Sequence, residues 1–283
     1  MTCIRDLLRD AGRRLNNRLE AELLLAHGLG RQRAWLYAHA EDPVEDAVRE
    51  RFERMISARE DGQPIAYLTG QREFYGVDYR VSNAVLIPRP ETELLVDLAL
   101  ARLPEDHCRV VDVGTGSGCI GLSLARLRPA WHVSLCDISA DALAVCQANA
   151  KTLSLDQVRI ARSDLLDAFA GERFHAIISN PPYVARQDPH LSQGDLRFEP
   201  PIALGADDGG MAIIRRLIAQ APGCLLAQGY LMLEHGHDQA DVVARCLEDA
   251  GFENVETHRD LAGIDRVTLG CWRQQPIQHE GRS

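Results

Sequence analysis

Residues 110–120 set the strongest constraint on the fold. They read Val110-Val111-Asp112-Val113-Gly114-Thr115-Gly116-Ser117-Gly118-Cys119-Ile120. An apolar strand runs into a glycine-rich turn and then directly into a helix. Glycines permit so tight a turn and let a ligand approach the backbone closely. The helix that follows offers unpaired N–H groups at its start. The spacing is G-x-G-x-G, whereas a dinucleotide fingerprint needs G-x-G-x-x-G or G-x-G-x-x-A, and no Gly-Lys-Ser/Thr follows as in a nucleotide triphosphate loop.

Downstream, strands and helices alternate. Strands are predicted at Val110–Val113, His132–Cys136, Val158–Ala161, His175–Ser179, Tyr230–Glu234, Val255–Thr257 and Arg266–Leu269, with helices between most of them, including Ala140–Ala150 and Met211–Ala221. Such alternation implies an α/β fold, a mostly parallel sheet with helices on both faces. The first part of the chain differs. Leu15, Leu19, Leu23, Leu24 and Ala26, then Ala47, Phe52, Met55 and Ile56, recur at helical spacing, and Gly62-Gln63-Pro64 ends the pattern. Glu73–Val81, aromatic and β-branched around Gly76, reads as a hairpin. Leu86-Ile87-Pro88-Arg89-Pro90 is too proline-rich for a regular element, and Glu91-Thr92-Glu93 opens a helix, with Thr92 or a neighbour as its cap. The expected units are a helical domain over 1–70, a hairpin and proline-rich connector over 71–90, and an α/β domain over 91–283. The polar tail from Gln274 to Ser283 is expected to fray.

Composition excludes some functions. The chain has 283 residues, 46% hydrophobic and 25% charged, with a net charge of −10. That acidity disfavours non-specific binding to a nucleic-acid backbone. No apolar run is long enough to span a bilayer, and the charged N-terminus is not a signal peptide. The eight cysteines form no C-x-x-C pair and no zinc-spaced cluster, so buried free thiols, no metal and a cytoplasmic location are expected.

Four successive strand ends carry residues of ligand-binding type. After Asp112 and the glycine turn, Asp137 closes the next strand, where a carboxylate accepts hydrogen bonds from ribose hydroxyls; the alternative is a helix cap. Asp164 suits an adenine amino group, with Leu165 on the ring face. Asn180-Pro181-Pro182-Tyr183 follows the apolar run 174–179. Two prolines cannot continue a ladder, because neither has an N–H, and they hold Asn180 extended. The result is a stiff strand end bearing an amide, a free carbonyl at Pro181 and an aromatic ring.

This combination resembles the S-adenosylmethionine-dependent methyltransferases with a Rossmann-like domain. Asn-Pro-Pro-Tyr narrows it to enzymes that methylate a nitrogen conjugated to a π system. Pro64-Ile65-Ala66-Tyr67-Leu68-Thr69-Gly70, Arg72-Glu73-Phe74, Leu86–Glu93, Phe198-Glu199-Pro200 and Leu233-Glu234-His235-Gly236 extend the resemblance over nearly the whole chain. Together they are similar to the peptide chain release factor glutamine N5-methyltransferases. One segment departs from that pattern: after Glu199-Pro200, where a paired-glycine segment before Asp-Gly is expected, the chain reads Ala203-Leu204-Gly205-Ala206-Asp207-Asp208-Gly209-Gly210, and Asp208-Gly209 reads as a turn.

The resemblance implies a seven-stranded, mostly parallel sheet and an N-terminal domain that recognises substrate. It implies methyl transfer from S-adenosylmethionine to the glutamine amide of the Gly-Gly-Gln loop of class 1 release factors, by a monomer without nucleic acid or membrane. The cofactor site would comprise Gly114, Thr115, Gly116, Ser117, Gly118, Asp137, Asp164, Leu165 and Asn180. Catalysis would fall to Asn180, Pro181 and Tyr183, with Pro182 and Glu199 also meeting the substrate. The Asn180 oxygen and the Pro181 carbonyl would accept the two amide N–H bonds, and Tyr183 would pack on the flat amide. Rival substrates are a ribosomal-protein glutamine and an adenine N6 in nucleic acid. Glu199 can orient the substrate loop or pair with Arg197. Arg89, Glu91 and Glu93 can touch the protein substrate or brace the domain junction. His235 reads as a structural hydrogen bond to a neighbouring strand, since the chemistry needs no base.

Overall fold

The computed structural model describes residues 2–192 and 194–273; the tail expected to fray lies outside them. Five helices come first: α1 (Ile4–Arg14), α2 (Arg18–Leu29), α3 (Arg33–Ala38), α4 (Asp46–Glu60) and α5 (Ile65–Thr69). The Asn17 side chain caps α2 by accepting from Glu20 N at 3.3 Å, and Gly30, at φ 63°, ends it. Leu24, Leu25, Phe52, Met55 and Ile56 form their shared core. Of the periodic residues, Leu19 and Ala47 instead face solvent, because the contact stripe on each helix is narrower than its apolar sequence.

Strands β1 (Gln71–Phe74) and β2 (Val77–Arg80) form the expected hairpin. Its turn puts both Tyr75 and Gly76 at positive φ, 51° and 75°, which matches the twist of the two strands. A proline-rich stretch then leads to a short 3-10 turn, Pro90–Thr92, and to α6 (Glu93–Arg102). Thr92 does not cap α6; it makes no capping bond there, and its hydroxyl is used elsewhere.

The remainder alternates as β3 (Arg109–Val113), α7 (Cys119–Leu127), β4 (His132–Asp137), α8 (Ala140–Thr152), β5 (Arg159–Arg162) and β6 (Phe174–Ser179). It continues as β7 (Val184–Ala185), α9 (Pro201–Leu204), β8 (Gly205–Ala206), α10 (Ala212–Gln220), β9 (Leu225–Glu234), α11 (Ala240–Asp249), β10 (Phe252–Arg259) and β11 (Asp265–Trp272). Seven strands make one sheet in the order β10-β11-β9-β6-β3-β4-β5. Strands β5, β4, β3, β6 and β9 pair parallel, while β11 runs antiparallel to both neighbours. Alternate residues serve opposite faces. Val110, Leu135 and Ile178 pack with the residues of α6 and α7, such as Leu95 and Leu122. Val111, Val113 and Ile177 pack with Leu217 of α10 and Val243 of α11. Strand β9 begins five residues earlier than its apolar run suggests, because Gln228 at φ 64° absorbs an irregularity opposite β6.

Connections from β3 leave toward β4 on one side, while β6 flanks its other side. Ligands in open α/β sheets sit at such a reversal, beyond the carboxyl ends of the strands. No helix among the described residues is long and apolar enough to cross a membrane.

Candidate active site

A cleft opens at that reversal. Its wall includes Gly114, Thr115, Gly116 and Ser117 after β3, Asp137 after β4, Asp164 and Leu165 after β5, and Asn180, Pro181 and Pro182 after β6. Residues predicted from four separate stretches thus meet at one place. The connector supplies a further wall through Leu86, Pro88 and Arg89, and the turn that follows it through Thr92.

The glycine turn is fixed from below. Asp112, fully buried, accepts from Thr115 Oγ1 at 2.5 Å and from Gly121 N at 3.0 Å. Burial pushes its carboxyl up to about 6, against the pull of those two bonds. Asn149 of α8 clamps the turn from the side: its Nδ2 donates to Ser117 O at 2.8 Å and to Arg80 O at 3.0 Å, while its Oδ1 accepts from Arg80 N at 2.8 Å. Gly118 does not line the cleft. It starts α7 at φ 86°, and a Cβ there would lie 2.8 Å from Cys146 Sγ, so it serves packing beneath the turn.

Asp137 Oδ2 accepts from Gly116 N at 3.0 Å, and its Oδ1 accepts from Ser139 N at 2.9 Å. The carboxylate is therefore held in place with lone pairs left over. The cap of α8 is Ser139, whose hydroxyl accepts from Ala142 N. Asp164 meets Arg216 of α10 at 2.8 Å through Oδ2, and Arg216 also lines the cleft. Leu165 adopts φ 50°, an uncommon conformation for a bulky residue and one that marks functional loops.

Asn180 donates from Nδ2 to Thr92 Oγ1 at 3.1 Å. Among the described residues, no donor reaches Asn180 Oδ1 or the Pro181 carbonyl. Tyr183 does not line the cleft: its ring packs with the core between the sheet and α10, and its hydroxyl donates to Glu234 Oε1 at 3.2 Å. Glu199 also lies outside the cleft wall. Its carboxylate is buried, accepts from Ile87 N at 3.1 Å and pairs with Arg89. Its partner is thus Arg89 and not Arg197, which donates to the Asp61 carbonyl. Glu93 accepts from Tyr75 N at 2.8 Å, bracing the hairpin. His235, fully buried, bonds Thr268 of β11 at 2.8 Å and the Gly236 carbonyl at 2.9 Å, the interstrand role expected of it.

A family model described as "Methyltransferase small domain" matches residues 91–194, and one described as "PrmC N-terminal domain" matches residues 2–70. The release factor glutamine methyltransferase of Escherichia coli is 47% identical over 257 residues, 91% of this chain and 93% of that one. The protein of that name from Bordetella pertussis is 48% identical over 272 residues, 95% and 99% of the two chains. The chain belongs to the release factor glutamine methyltransferase family.

Solved structures of lower identity match the fold of this family member. A methyltransferase from Pyrococcus furiosus superposes with a TM-score of 0.53 at 16% identity, over 77% of this chain and 96% of that one. A Thermus thermophilus 16S rRNA methyltransferase in complex with AdoMet and guanosine gives 0.52 at 18% identity, over 72% and 50%.

The sequence reading makes Thr92 a helix cap and Glu234 part of a motif, and it misses their contacts at the site of this methyltransferase, together with those of Asn149 and Arg216. Two left a signal. Glu234 closes the apolar run Leu231-Met232-Leu233, and Asn149 interrupts an alanine-rich helix face; a polar residue in an apolar setting is retained for a hydrogen bond.

Proposed function

We infer that this chain transfers a methyl group from S-adenosylmethionine to the side-chain amide nitrogen of the glutamine in the Gly-Gly-Gln loop of class 1 release factors. The names of relatives matched over nine-tenths of their length support the protein substrate. One observation carries the chemistry: Asn180 spends its amide nitrogen on Thr92, which leaves its oxygen and the Pro181 carbonyl as two acceptors at the cleft wall. A primary amide has two N–H groups to give, and two fixed acceptors suit it.

The cleft fits the donor. Open space faces Gly114 and Gly116 where a Cβ would stand. Asp137 retains lone pairs for ribose hydroxyls, Asp164 keeps Oδ1 for the adenine amino group, and Leu165 offers an apolar face. Bound there, S-adenosylmethionine supplies a sulfonium methyl: a C–N bond forms as the C–S bond breaks with its electron pair left on sulfur, and one amide proton passes to solvent. An amide lone pair is delocalised into its carbonyl, so the protein's part is alignment. Asn180 Oδ1 and the Pro181 carbonyl take the two N–H bonds, aim the nitrogen, and stabilise positive charge building on it. Fixed geometry of this kind supplies about 7–11 kcal/mol of barrier reduction at best, and Pro181-Pro182 holds the acceptors in place before the substrate arrives.

Residues 1–70 are the proposed docking unit for the release factor. In support, Arg59 donates to Asp195 at 2.9 Å and Arg197 to the Asp61 carbonyl, so the segment between β7 and α9 is tied to α4. Mass spectrometry of a class 1 release factor after incubation with this protein and S-adenosylmethionine tests the function. One added methyl on the Gly-Gly-Gln glutamine is expected. An unmodified release factor beside methylated DNA or RNA overturns the assignment.

A further inference from the structure

We propose that Thr92 and Glu234 are positioning residues that keep the Asn180 amide oxygen, and not its nitrogen, facing the acceptor glutamine. The proposal rests on the function inferred above. An asparagine side chain is two-sided: one end accepts, the other donates. Turned the wrong way, Asn180 would set N–H against the N–H of the substrate. Something must therefore select its orientation, and Nδ2 donating to Thr92 Oγ1 is the bond that does so.

A hydroxyl can accept from Asn180 reliably only if its own proton is drawn elsewhere. Thr92 is 1% exposed, and the group facing it is the Glu234 carboxylate, also 1% exposed. Glu234 Oε1 accepts the Tyr183 hydroxyl, while Oε2 has no hydrogen-bond partner among the described residues. Ionised, Glu234 is acceptor-only. It draws the Thr92 proton, so the Thr92 lone pair stays turned to Asn180. Neutral, Glu234 carries a proton to give. The Thr92 hydroxyl then turns its own proton toward Asn180 and favours the flipped amide.

Several elements face this carboxylate: Thr92 and Glu91 come from the turn after the connector, Tyr183 from the loop after β6, Arg266 from β11 and Cys119 from the start of α7. Burial pushes Glu234 up to about 7, with Glu91 adding to the rise, while Thr92, Tyr183 and Arg266 pull the other way. The orientation of Asn180 is thereby coupled to a proton within the neutral range.

The test follows Asn180 directly, by its side-chain amide signals in nitrogen-15 spectra from about pH 5.5 to 8, alongside methyl transfer to a release factor. In the wild type, the signals are expected to titrate with a midpoint near 7, and kcat to fall on the acid side with the same midpoint. Glu234→Gln abolishes that titration. Thr92→Val lowers kcat by roughly tenfold or more, with the S-adenosylmethionine dissociation constant and the release-factor KM changed by less than about twofold. Thr92→Ser restores kcat to within about threefold. Asn180 signals that ignore pH and keep their wild-type position in Thr92→Val overturn the proposal. So does a Thr92→Val enzyme of undiminished kcat, or a loss that Thr92→Ser does not repair. A wild type that leaves the release factor unmethylated while its Asn180 signals behave as stated overturns the function above and supports the positioning role.

Discussion

Gly210 lies directly against the backbone of Tyr183. A Cβ at Gly210 would sit 2.7 Å from the Tyr183 carbonyl carbon and closer still to its oxygen. That same oxygen accepts from Gln239 Nε2 at 2.9 Å, and Gln239 also donates to the Gly209 carbonyl at 3.2 Å. The loop that follows Asn180-Pro181-Pro182 is thus pinned by a glutamine from the start of α11 and by a close backbone approach from the segment before α10.

Gly210→Ala is expected to destabilise the protein by roughly 2–4 kcal/mol. The position has φ 91°, unfavourable for a side chain, and the obstructing atoms are the Tyr183 carbonyl group and Gln239 Nε2. Urea unfolding measures the loss. A variant as stable as the wild type would mean that the loop shifts freely and that Tyr183 is not held by this contact.

Asn180→Ala is expected to keep the fold and most of the donor affinity while turnover drops by about 10²–10³, the cost of one preorganised polar partner. Steady-state methyl transfer with purified protein reads the effect. Near-normal turnover would remove Asn180 from the chemistry.

For Asp137→Ala, S-adenosylmethionine binding is expected to weaken by about 1.5–3 kcal/mol, the range for hydrogen bonds to a charged group. Part of the loss arises because Gly116 N and Ser139 N lose their acceptor. Calorimetry showing unchanged affinity would reduce Asp137 to a brace for the turn.

The Glu234 carboxyl, at about 7 in the fold, titrates well above the ordinary value of about 4.3. Below about pH 4 both folded and unfolded chains hold the proton, so the group takes nothing from stability. As pH rises the unfolded chain ionises first, and stability is lost until the folded value is passed, by roughly 4 kcal/mol in full. Glu234→Gln removes that loss. Its melting temperature relative to wild type is therefore expected to rise between about pH 5 and 8, even as its turnover falls. A difference that stays constant with pH would contradict the burial effect.

The central strands were legible because they are apolar on both faces: β3, β4 and β6 match their predicted spans to within one residue. Strand β10 was under-read, since Glu253, Asn254, His258 and Arg259 give its ends a polar surface that pattern alone assigns to loops, and β11 runs past its predicted end at Leu269 through Gly270-Cys271-Trp272. The strand-end ligand residues were legible for a different reason: glycine turns, acidic strand ends and Asn-Pro-Pro-Tyr are chemical signatures carried locally. Thr92, Glu234 and Gln239 were not, because each acts across 50 or more residues on Asn180 or Tyr183, and such pairings exist only once the chain has closed. Thr92 is the clearest case. It reads as a helix cap, and its hydroxyl instead serves a partner 88 positions away.

That bond also decides where this protein can be recombined. Thr92 lies in the short turn just after the connector, yet it holds the side chain of Asn180, the residue proposed to face the acceptor glutamine. A chimaera that grafts a foreign N-terminal domain with a junction after residue 92 would exchange the orienting hydroxyl along with the docking unit, and retain a cofactor cleft beside an unguided asparagine. A junction between β2 and Val85 leaves the whole wall, from Val85 through Arg89 to Thr92, with the sheet that uses it. The seam for swapping specificity lies at the hairpin, upstream of the prolines.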